Sequence, residues 1–224
     1  MEHISETLEN LPKSIQNQKT FYSDEEELAE TEEQKIIRQL KRFGISSFNH
    51  TFEKFAVTPP TKNAYDMLKA VIDGSSVKKF VLLYGATGCG KTHLIEATII
   101  EWARQGIFSH YRTFSDIARY LKSGLKISEL YEQRFATICD SAKLIIDDFG
   151  MGTTESRFEV SDLEDIIDIR YRRRYYPKSE EVTILASNKD IKDLPDRVVS
   201  RFYDSEFGIV LYMGDRDYRR RKTN

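Results

Sequence analysis

The stretch VLLYGATGCGKTHL, Val81 to Leu94, decides the fold because a strand, a glycine-rich turn and the start of a helix follow one another in it. Gly85, Gly90, Lys91 and Thr92 fit the pattern G-x-x-x-x-G-K-[ST]. In such a turn, backbone N–H groups face phosphate oxygens, the lysine neutralises phosphate charge and the threonine hydroxyl binds Mg²⁺. The stretch predicts a nucleotide phosphate site and leaves open whether it serves a kinase, a switch or a motor.

The nucleotide contacts are expected along this turn and at the start of the helix that follows it. The expected contact residues are Gly85, Ala86, Thr87, Gly88, Cys89, Gly90, Lys91, Thr92 and His93. His93 is more typical of a residue on a helix face than of a catalyst. The turn predicts Mg²⁺ as the bound cation.

Composition limits the classes of protein that the chain can belong to. Its 224 residues are 40% hydrophobic and 12% aromatic, which is enough for one main core. The net charge of −2 gives no overall attraction to nucleic acid, so any such contact must come from local basic clusters. Cys89 and Cys139 lie outside any C-x-x-C spacing, which excludes a cysteine-rich zinc site. Without a signal peptide pattern or a bilayer-length apolar window, we expect a cytoplasmic protein with no membrane contact.

The chain divides by pattern into a short N-terminal region and one nucleotide-binding domain. Residues 1–45 are predicted to form a flexible tail and a charged helix, DEEELAETEEQKIIRQLKRF, that ends near Gly44. This helix is either a solvated helix packed by one edge on the main domain or an arm that docks a partner. In residues 46–224, apolar runs alternate with helical segments, which predicts an α/β fold with a mainly parallel five-stranded sheet between helices.

Two further strands end in polar residues, and carboxyl ends of parallel strands meet at one edge of a sheet. KLIIDDFG ends in Asp147 and Asp148, and VTILASN ends in Asn188. We expect Asp147 to hold Mg²⁺, Asp148 to orient or deprotonate the attacking water, and Asn188 to hold that water or contact the γ-phosphate. Many such hydrolases carry Glu in the second acidic position, and the shorter Asp predicts slow hydrolysis.

The order of these motifs carries a family resemblance. The phosphate turn, the D-D strand end, the S-N strand end and the pair Arg197 and Arg201 in LPDRVVSRFYD resemble AAA+ ATPases of the initiator and helicase-loader branch. More narrowly, GISSFNHTFEKF, TFSDIARYLKSG, LIIDDFGMGTTES and RDYRRR resemble the DnaC/IstB family, from about Phe43 to Arg221. The segment after Arg201 is too short for the helical lid domain of most AAA+ proteins, so no C-terminal lid is expected.

This resemblance implies roles for two arginines. Arg201 matches the arginine finger, which acts in trans on the ATP of the next protomer, and Arg219 matches the sensor-2 arginine, which touches phosphate in cis. A trans finger implies self-association. The alternative is that both are surface or salt-bridge residues. In RYRRRYYP, Arg170 and Arg174 either face a neighbour's nucleotide or form a solvated basic face.

The resemblance also implies a contact with single-stranded DNA through the helical element after the second strand. The matching candidates here are Arg119, Lys122 and Lys126 for phosphates and Tyr120 or Phe114 for base stacking. An ordinary amphipathic helix is the alternative.

By this resemblance, the expected function is that of an ATP-dependent DNA replication protein, a helicase loader that binds ATP and single-stranded DNA and delivers or opens a replicative helicase. The alternative within the family is an IstB-like transposition helper ATPase that directs a transposase to target DNA. Two other classes stay open: a small-molecule P-loop kinase, which leaves the S-N strand end and the R-x-x-x-R pair unexplained, and an adaptor that binds ATP without hydrolysis.

Overall fold

The computed structural model describes residues 32–42, 45, 49–150, 157–175 and 180–220. The chain divides into two compact units, Met1–Arg38 and Gln39–Asn224. Helix α1, Glu32–Arg42, lies within the segment predicted to be a charged helix. The predicted tail and the start of that helix, residues 1–31, and its expected end at Gly44 lie outside the described residues.

Five strands form one sheet, and each pair of neighbouring strands is parallel. In chain order they are β1 (Phe80–Tyr84), β2 (Ser109–Thr113), β3 (Lys143–Phe149), β4 (Val182–Ser187) and β5 (Gly208–Tyr212). Across the sheet the order is β2-β3-β4-β1-β5. The prediction of an α/β fold with a five-stranded parallel sheet is confirmed.

Six helices and three short 3₁₀ turns follow α1 in the described ranges. They are α2 (Pro59–Ile72), α3 (Lys91–Arg104), α4 (Phe114–Lys122), α5 (Ser128–Cys139), α6 (Arg157–Arg172) and α7 (Asp196–Phe202), with 3₁₀ turns at Arg173–Tyr175, Ile191–Asp193 and Tyr218–Arg220. Helix α2 starts at its two prolines, whose fixed φ suits a first helical turn. No helix among the described residues combines the length and apolar character needed to cross a membrane.

Both faces of the sheet are covered, which explains the continuous apolar strands of the sequence. On one face, Leu82, Ile146 and Leu185 belong to a buried cluster that also contains residues of α4 to α7. Alternate residues such as Val81 and Ile145 are buried as well and point to the opposite face, because side chains alternate along a strand. The sheet is therefore the middle layer of a three-layer core.

The strand order brings the polar strand ends together. Strand β4 lies between β1 and β3, so the phosphate turn after β1, the two aspartates of β3 and Asn188 after β4 lie at one edge. The pairing of β3 with β4 shifts register between Ile146 and Phe149, which is where Asp147 and Asp148 lie. Such an irregularity changes the direction of side chains next to it, and here those side chains are carboxylates.

Candidate nucleotide site

A cavity of about 430 Å³ lies beside the phosphate turn, at the carboxyl edge of the sheet. Its lining residues come from the segment before and into α2, the phosphate turn and α3, the ends of β3 and β4, and the 3₁₀ turn after β5. They are His50, Lys54, Phe55, Ala56, Thr61, Thr87, Gly88, Cys89, Gly90, Lys91, Thr92, His93, Asp148, Asn188, Tyr218 and Arg219.

The phosphate turn needs glycine at two positions for both conformation and space. Gly88 has a φ of +79°, and a Cβ there would lie 1.9 Å from Asp217 Oδ1. Gly90 has a φ of +104°, and a Cβ there would lie 2.8 Å from the ring of Phe55. Side-chain-bearing residues rarely adopt such positive φ values, so the tight packing around this turn depends on glycine.

Lys91 is 4% exposed and its ammonium group lies against the turn itself. Nζ donates to the carbonyl oxygen of Gly85 at 2.8 Å and to that of Ala86 at 2.9 Å. The amides of these two residues donate to backbone oxygens of Ser187 and Gly214. Gly85 and Ala86 therefore fix the base of the turn, whereas Thr87 to His93 line the cavity, so the expected contacts separate into these two groups.

Thr92 and Asp147 meet at the start of α3. The Thr92 hydroxyl donates to Asp147 Oδ2 at 3.0 Å, Asp148 N donates to Oδ1 at 2.8 Å, and the Tyr111 hydroxyl lies 3.4 Å from Oδ2. Burial, and then the charge of Asp148, raise the pKa of Asp147. A hydroxyl beside a buried carboxylate is a donor set that fits Mg²⁺, which takes few protein ligands beside phosphate oxygens and water.

Asp148 and Asn188 form a second polar pair facing the cavity. The Asn188 amide donates to Asp148 Oδ1 at 3.1 Å. Asp148 has a φ of +56°, a left-handed conformation that aspartate tolerates better than most residues. Backbone conformation and the amide together hold this carboxylate at the cavity wall.

Arg219 lines the same cavity from a 3₁₀ turn that is hydrogen-bonded to the phosphate turn. Tyr218 N donates to the carbonyl oxygen of Gly88 at 3.0 Å, and the Tyr218 hydroxyl lies 3.4 Å from Thr58 Oγ1. The expected cis arginine is therefore beside the phosphate turn in the folded chain.

The segment before α2 supplies lining residues that the sequence did not single out. They are His50, Lys54, Phe55 and Ala56, joined by Thr61 from the first turn of α2 and by Tyr218 from the other end of the domain. His93 Nε2 lies 2.9 Å from the backbone oxygen of Thr51, and burial lowers the His93 pKa, so His93 joins α3 to this segment. The aromatic residues of FNHTFEKF were the available signal, but their spacing of four and then three residues is typical of a helix face, and residues 49–58 form no helix.

Arg197 and Arg201 project from α7 onto Asp168 of α6. Arg197 donates to Asp168 Oδ2 through Nε and Nη2 and to Glu164 Oε2 through Nη1. Arg201 donates to Asp168 Oδ1 at 2.8 Å through Nε, the one guanidinium nitrogen of Arg201 with a hydrogen bond in the described part of the chain. Neither arginine lines the cavity of its own chain.

The position of Arg170 in the structure contradicts both expectations for it, that it faces a neighbour's nucleotide and that it belongs to a solvated basic face. It is 1% exposed, and its guanidinium donates to Thr183 Oγ1 and to the carbonyl oxygens of Cys139, Ser141 and Val182. Arg170 thus binds helix α6 to the amino-terminal end of the sheet. A pattern of consecutive arginines does not reveal that one of them is buried.

The candidate DNA contacts lie on and after α4. Arg119, paired with Asp116 at 2.9 Å, is exposed at the surface, as are Lys122 and Lys126. Tyr120 is 39% exposed. The expectation that Phe114 stacks on bases is wrong, because this ring is buried against Phe149 with ring centroids 4.9 Å apart. The three basic residues and Tyr120 remain the candidates.

The fold and the phosphate turn define a P-loop nucleotide-binding protein of the AAA+ type. The family model of the IstB-like ATP binding protein matches residues 3–196, and the chain belongs to that family.

Two curated relatives are similar to much of the chain. The chromosomal replication initiator protein DnaA of Aquifex aeolicus is 29% identical over 195 residues, which cover 84% of this chain and 46% of the relative. A protein of Mycobacterium tuberculosis, described as ATP-binding and in an insertion sequence, is 29% identical over 156 residues, which cover 65% of this chain and 58% of the relative. The chain thus spans about half the length of these relatives.

Solved structures share the fold. The replication initiator DnaA bound to AMPPCP and single-stranded DNA superposes with a TM-score of 0.62 at 26% identity, over 74% of this chain and 50% of that one. The DnaC helicase loader superposes with a TM-score of 0.59 at 22% identity, over 74% of this chain and 97% of that one, which shows likeness of fold alone.

Proposed function

We propose that this protein is a Mg²⁺-dependent ATPase whose site is completed by a second copy of the chain, and that it acts on single-stranded DNA as a loader of a replicative helicase. One observation carries the ATPase proposal. The Thr92–Asp147 and Asp148–Asn188 pairs lie at the same end of the sheet as the phosphate turn, 3.0 and 3.1 Å between their bonded atoms.

Each group at this edge has a part in the proposed reaction. ATP and Mg²⁺, when bound, supply the phosphoryl group and the cation that neutralises its charge. Thr92 and Asp147 would hold the cation, and Lys91, which donates to the carbonyls of Gly85 and Ala86, would donate to phosphate oxygens instead. Asp148 accepts the proton of the attacking water and Asn188 keeps that carboxylate in place.

Arg219 and Arg201 divide the stabilisation of phosphate charge between copies. Arg219 contacts the phosphate of the nucleotide bound by its own chain, since Arg219 lines that chain's cavity. Arg201 lies away from that cavity, its side chain is 34% exposed, and it binds Asp168 through Nε and not through Nη1 or Nη2. We assign Arg201 rather than Arg197 to the neighbour's γ-phosphate, because Arg197 engages all three of its nitrogens with acidic residues of α6.

Hydrolysis is tested by phosphate release with and without single-stranded DNA. Replacing Asp148 by Asn should lower kcat by at least about 100-fold, since loss of a general base costs that much, while a fluorescent ATP analogue still binds. Asp215→Asn, an exposed aspartate outside the cavity, is the matched control and should keep the parental rate. If the parent releases no phosphate under either condition and Asp148→Asn changes nothing, the protein is an adaptor that binds ATP without turnover.

Binding of single-stranded DNA is proposed to use Arg119, Lys122 and Lys126. The structure of the DnaA relative with single-stranded DNA supports this proposal. Because phosphate contacts release counterions, Lys126→Ala should weaken binding and reduce the slope of log K against log salt by about 0.7. Lys62→Ala, an exposed lysine paired with Asp66 on α2, should leave that slope unchanged.

The helicase-loader proposal draws on the fold shared with the DnaC helicase loader and on relatives that initiate replication. The second candidate is a transposition helper that directs a transposase to target DNA, and the relative in an insertion sequence favours it. A pull-down with the full chain and with residues 24–43 deleted separates them. The loader proposal requires retention of a replicative helicase by the full chain; retention of a transposase alone would establish the second candidate.

A further inference from the structure

Asp168 is a buried carboxylate whose two oxygens are divided between the two arginines of α7. It lies on α6, is 4% exposed, and gives Oδ1 to Arg201 Nε at 2.8 Å and Oδ2 to Arg197 Nη2 at 2.6 Å. Burial alone would raise its pKa, but hydrogen bonds from Arg201 and then Arg197 outweigh burial and lower the pKa of Asp168. The carboxylate is therefore a fixed anion at the base of Arg201.

A second contact restrains the same guanidinium from another direction. The central carbon of the Arg201 guanidinium lies 5.0 Å from the centroid of the Tyr171 ring. That ring is itself held, because its hydroxyl donates to Asp204 Oδ2 at 2.5 Å and Arg174 stacks 3.6 Å from its centroid. Arg201 thus has a ring on one side and a carboxylate on its Nε edge.

This arrangement has a consequence for phosphate recognition. A free arginine side chain loses about 2 kcal/mol of rotamer entropy when one orientation is imposed on it. A carboxylate bound to Nε fixes the orientation in advance and leaves Nη1 and Nη2, which can bind an anion in a bidentate manner. We infer that Asp168 is a positioning residue, which aims Arg201 at the γ-phosphate held by a neighbouring copy of the chain.

This inference rests on the proposed trans role of Arg201, and it differs from a structural role for Asp168. A carboxylate that only joins α6 to α7 would change the melting temperature and leave kcat per folded molecule unchanged. A positioning residue changes kcat with little effect on ATP affinity, because the nucleotide site of the same chain is intact. The effect also passes to the neighbouring copy, which a structural role does not predict.

The test uses Asp168→Asn in the full chain, which keeps the shape and removes the charge. Since small misplacement of a catalytic group costs up to about 100-fold, we expect kcat to fall by about 10- to 100-fold with unchanged affinity for a fluorescent ATP analogue. Arg197→Ala removes the other partner of the same carboxylate and is the matched control, expected to retain kcat within about twofold. Should Asp168→Asn fail to fold, Asp168→Glu, which retains charge but shifts it by one methylene, replaces it with the same expected fall.

Mixed oligomers locate the defect. Lys91→Ala disables the phosphate turn of its own chain but retains Arg201, so its addition should restore turnover by Asp168→Asn protomers. Addition of Arg201→Ala should not restore it, because neither partner then supplies a correctly oriented arginine.

If Asp168→Asn keeps parental kcat while Arg201→Ala loses it, the positioning role is refuted and the trans arginine stands. The positioning role is also refuted if Lys91→Ala restores Arg201→Ala but not Asp168→Asn. If Arg201→Ala itself keeps parental turnover, both proposals fail.

Discussion

Replacing Arg170 by Met should remove about 3 kcal/mol from the free energy of unfolding. Its guanidinium is 1% exposed and donates to Thr183 Oγ1 and three backbone carbonyls, and a buried acceptor left without its donor costs about 1–3 kcal/mol. The methionine recovers part of the loss by filling the space with an apolar chain, which is why the total is below the sum of the separate costs. Marginal stability of about 5–15 kcal/mol makes such a loss large.

Urea unfolding followed by circular dichroism measures this difference. With an m-value of about 2 kcal/mol per M, the midpoint should fall by about 1.5 M. Arg172→Met is the matched control, because Arg172 is an exposed arginine on the same helix, and its midpoint should change by no more than about 0.25 M. Equal midpoints for the two variants would refute the reasoning that Arg170 fastens α6, the helix that carries Asp168, to the sheet.

Two further predictions concern the phosphate turn and pH. Gly88→Ala should lower both stability and ATP affinity, since its Cβ would lie 1.9 Å from Asp217 Oδ1. Gly74→Ala is the control; Gly74 is also at positive φ but has open space around it, so this change should cost only about 1 kcal/mol of stability. Equal effects of the two changes in thermal melts and ATP titrations would contradict the packing argument. Burial, and then the charge of Arg112, lower the pKa of His110 to about 4, so between pH 6.5 and 4 the unfolded chain binds a proton there that the native chain does not. Unfolding free energy should therefore fall by about 2 kcal/mol more between pH 7 and 5 in the parent than in His110→Gln, and parallel pH profiles would contradict this.

The phosphate turn could be predicted from local sequence because its chemistry lies in consecutive residues. Backbone amides, Lys91 and Thr92 are within one strand-turn-helix unit, so spacing alone predicts their association. The adjacency of Asp148 and Asn188 also followed from the sequence, since parallel strands end at one edge. The register shift that gives Asp148 a φ of +56° did not follow, because it depends on the pairing of β3 with β4.

The errors and omissions have one physical origin, which is that burial is a property of the packed chain. Phe114 and Arg170 belong to segments whose composition suits an exposed surface. The structure instead buries the Phe114 ring against Phe149 and the Arg170 side chain among backbone carbonyls. The cavity residues His50 and Phe55 lie in a segment whose aromatic spacing is typical of a helix face, so only its position beside α3 reveals that they line a cavity.

The sequence by itself determined the parallel α/β architecture, the phosphate turn and the family to which the chain belongs, because these depend on local order and spacing. The tertiary structure alone decided which arginine is buried, which residues line the cavity and which carboxylate orients Arg201. These features join segments far apart in the chain, as Asp168 on α6 joins Arg201 on α7, and the distances between such groups are set only when the helices pack on the sheet.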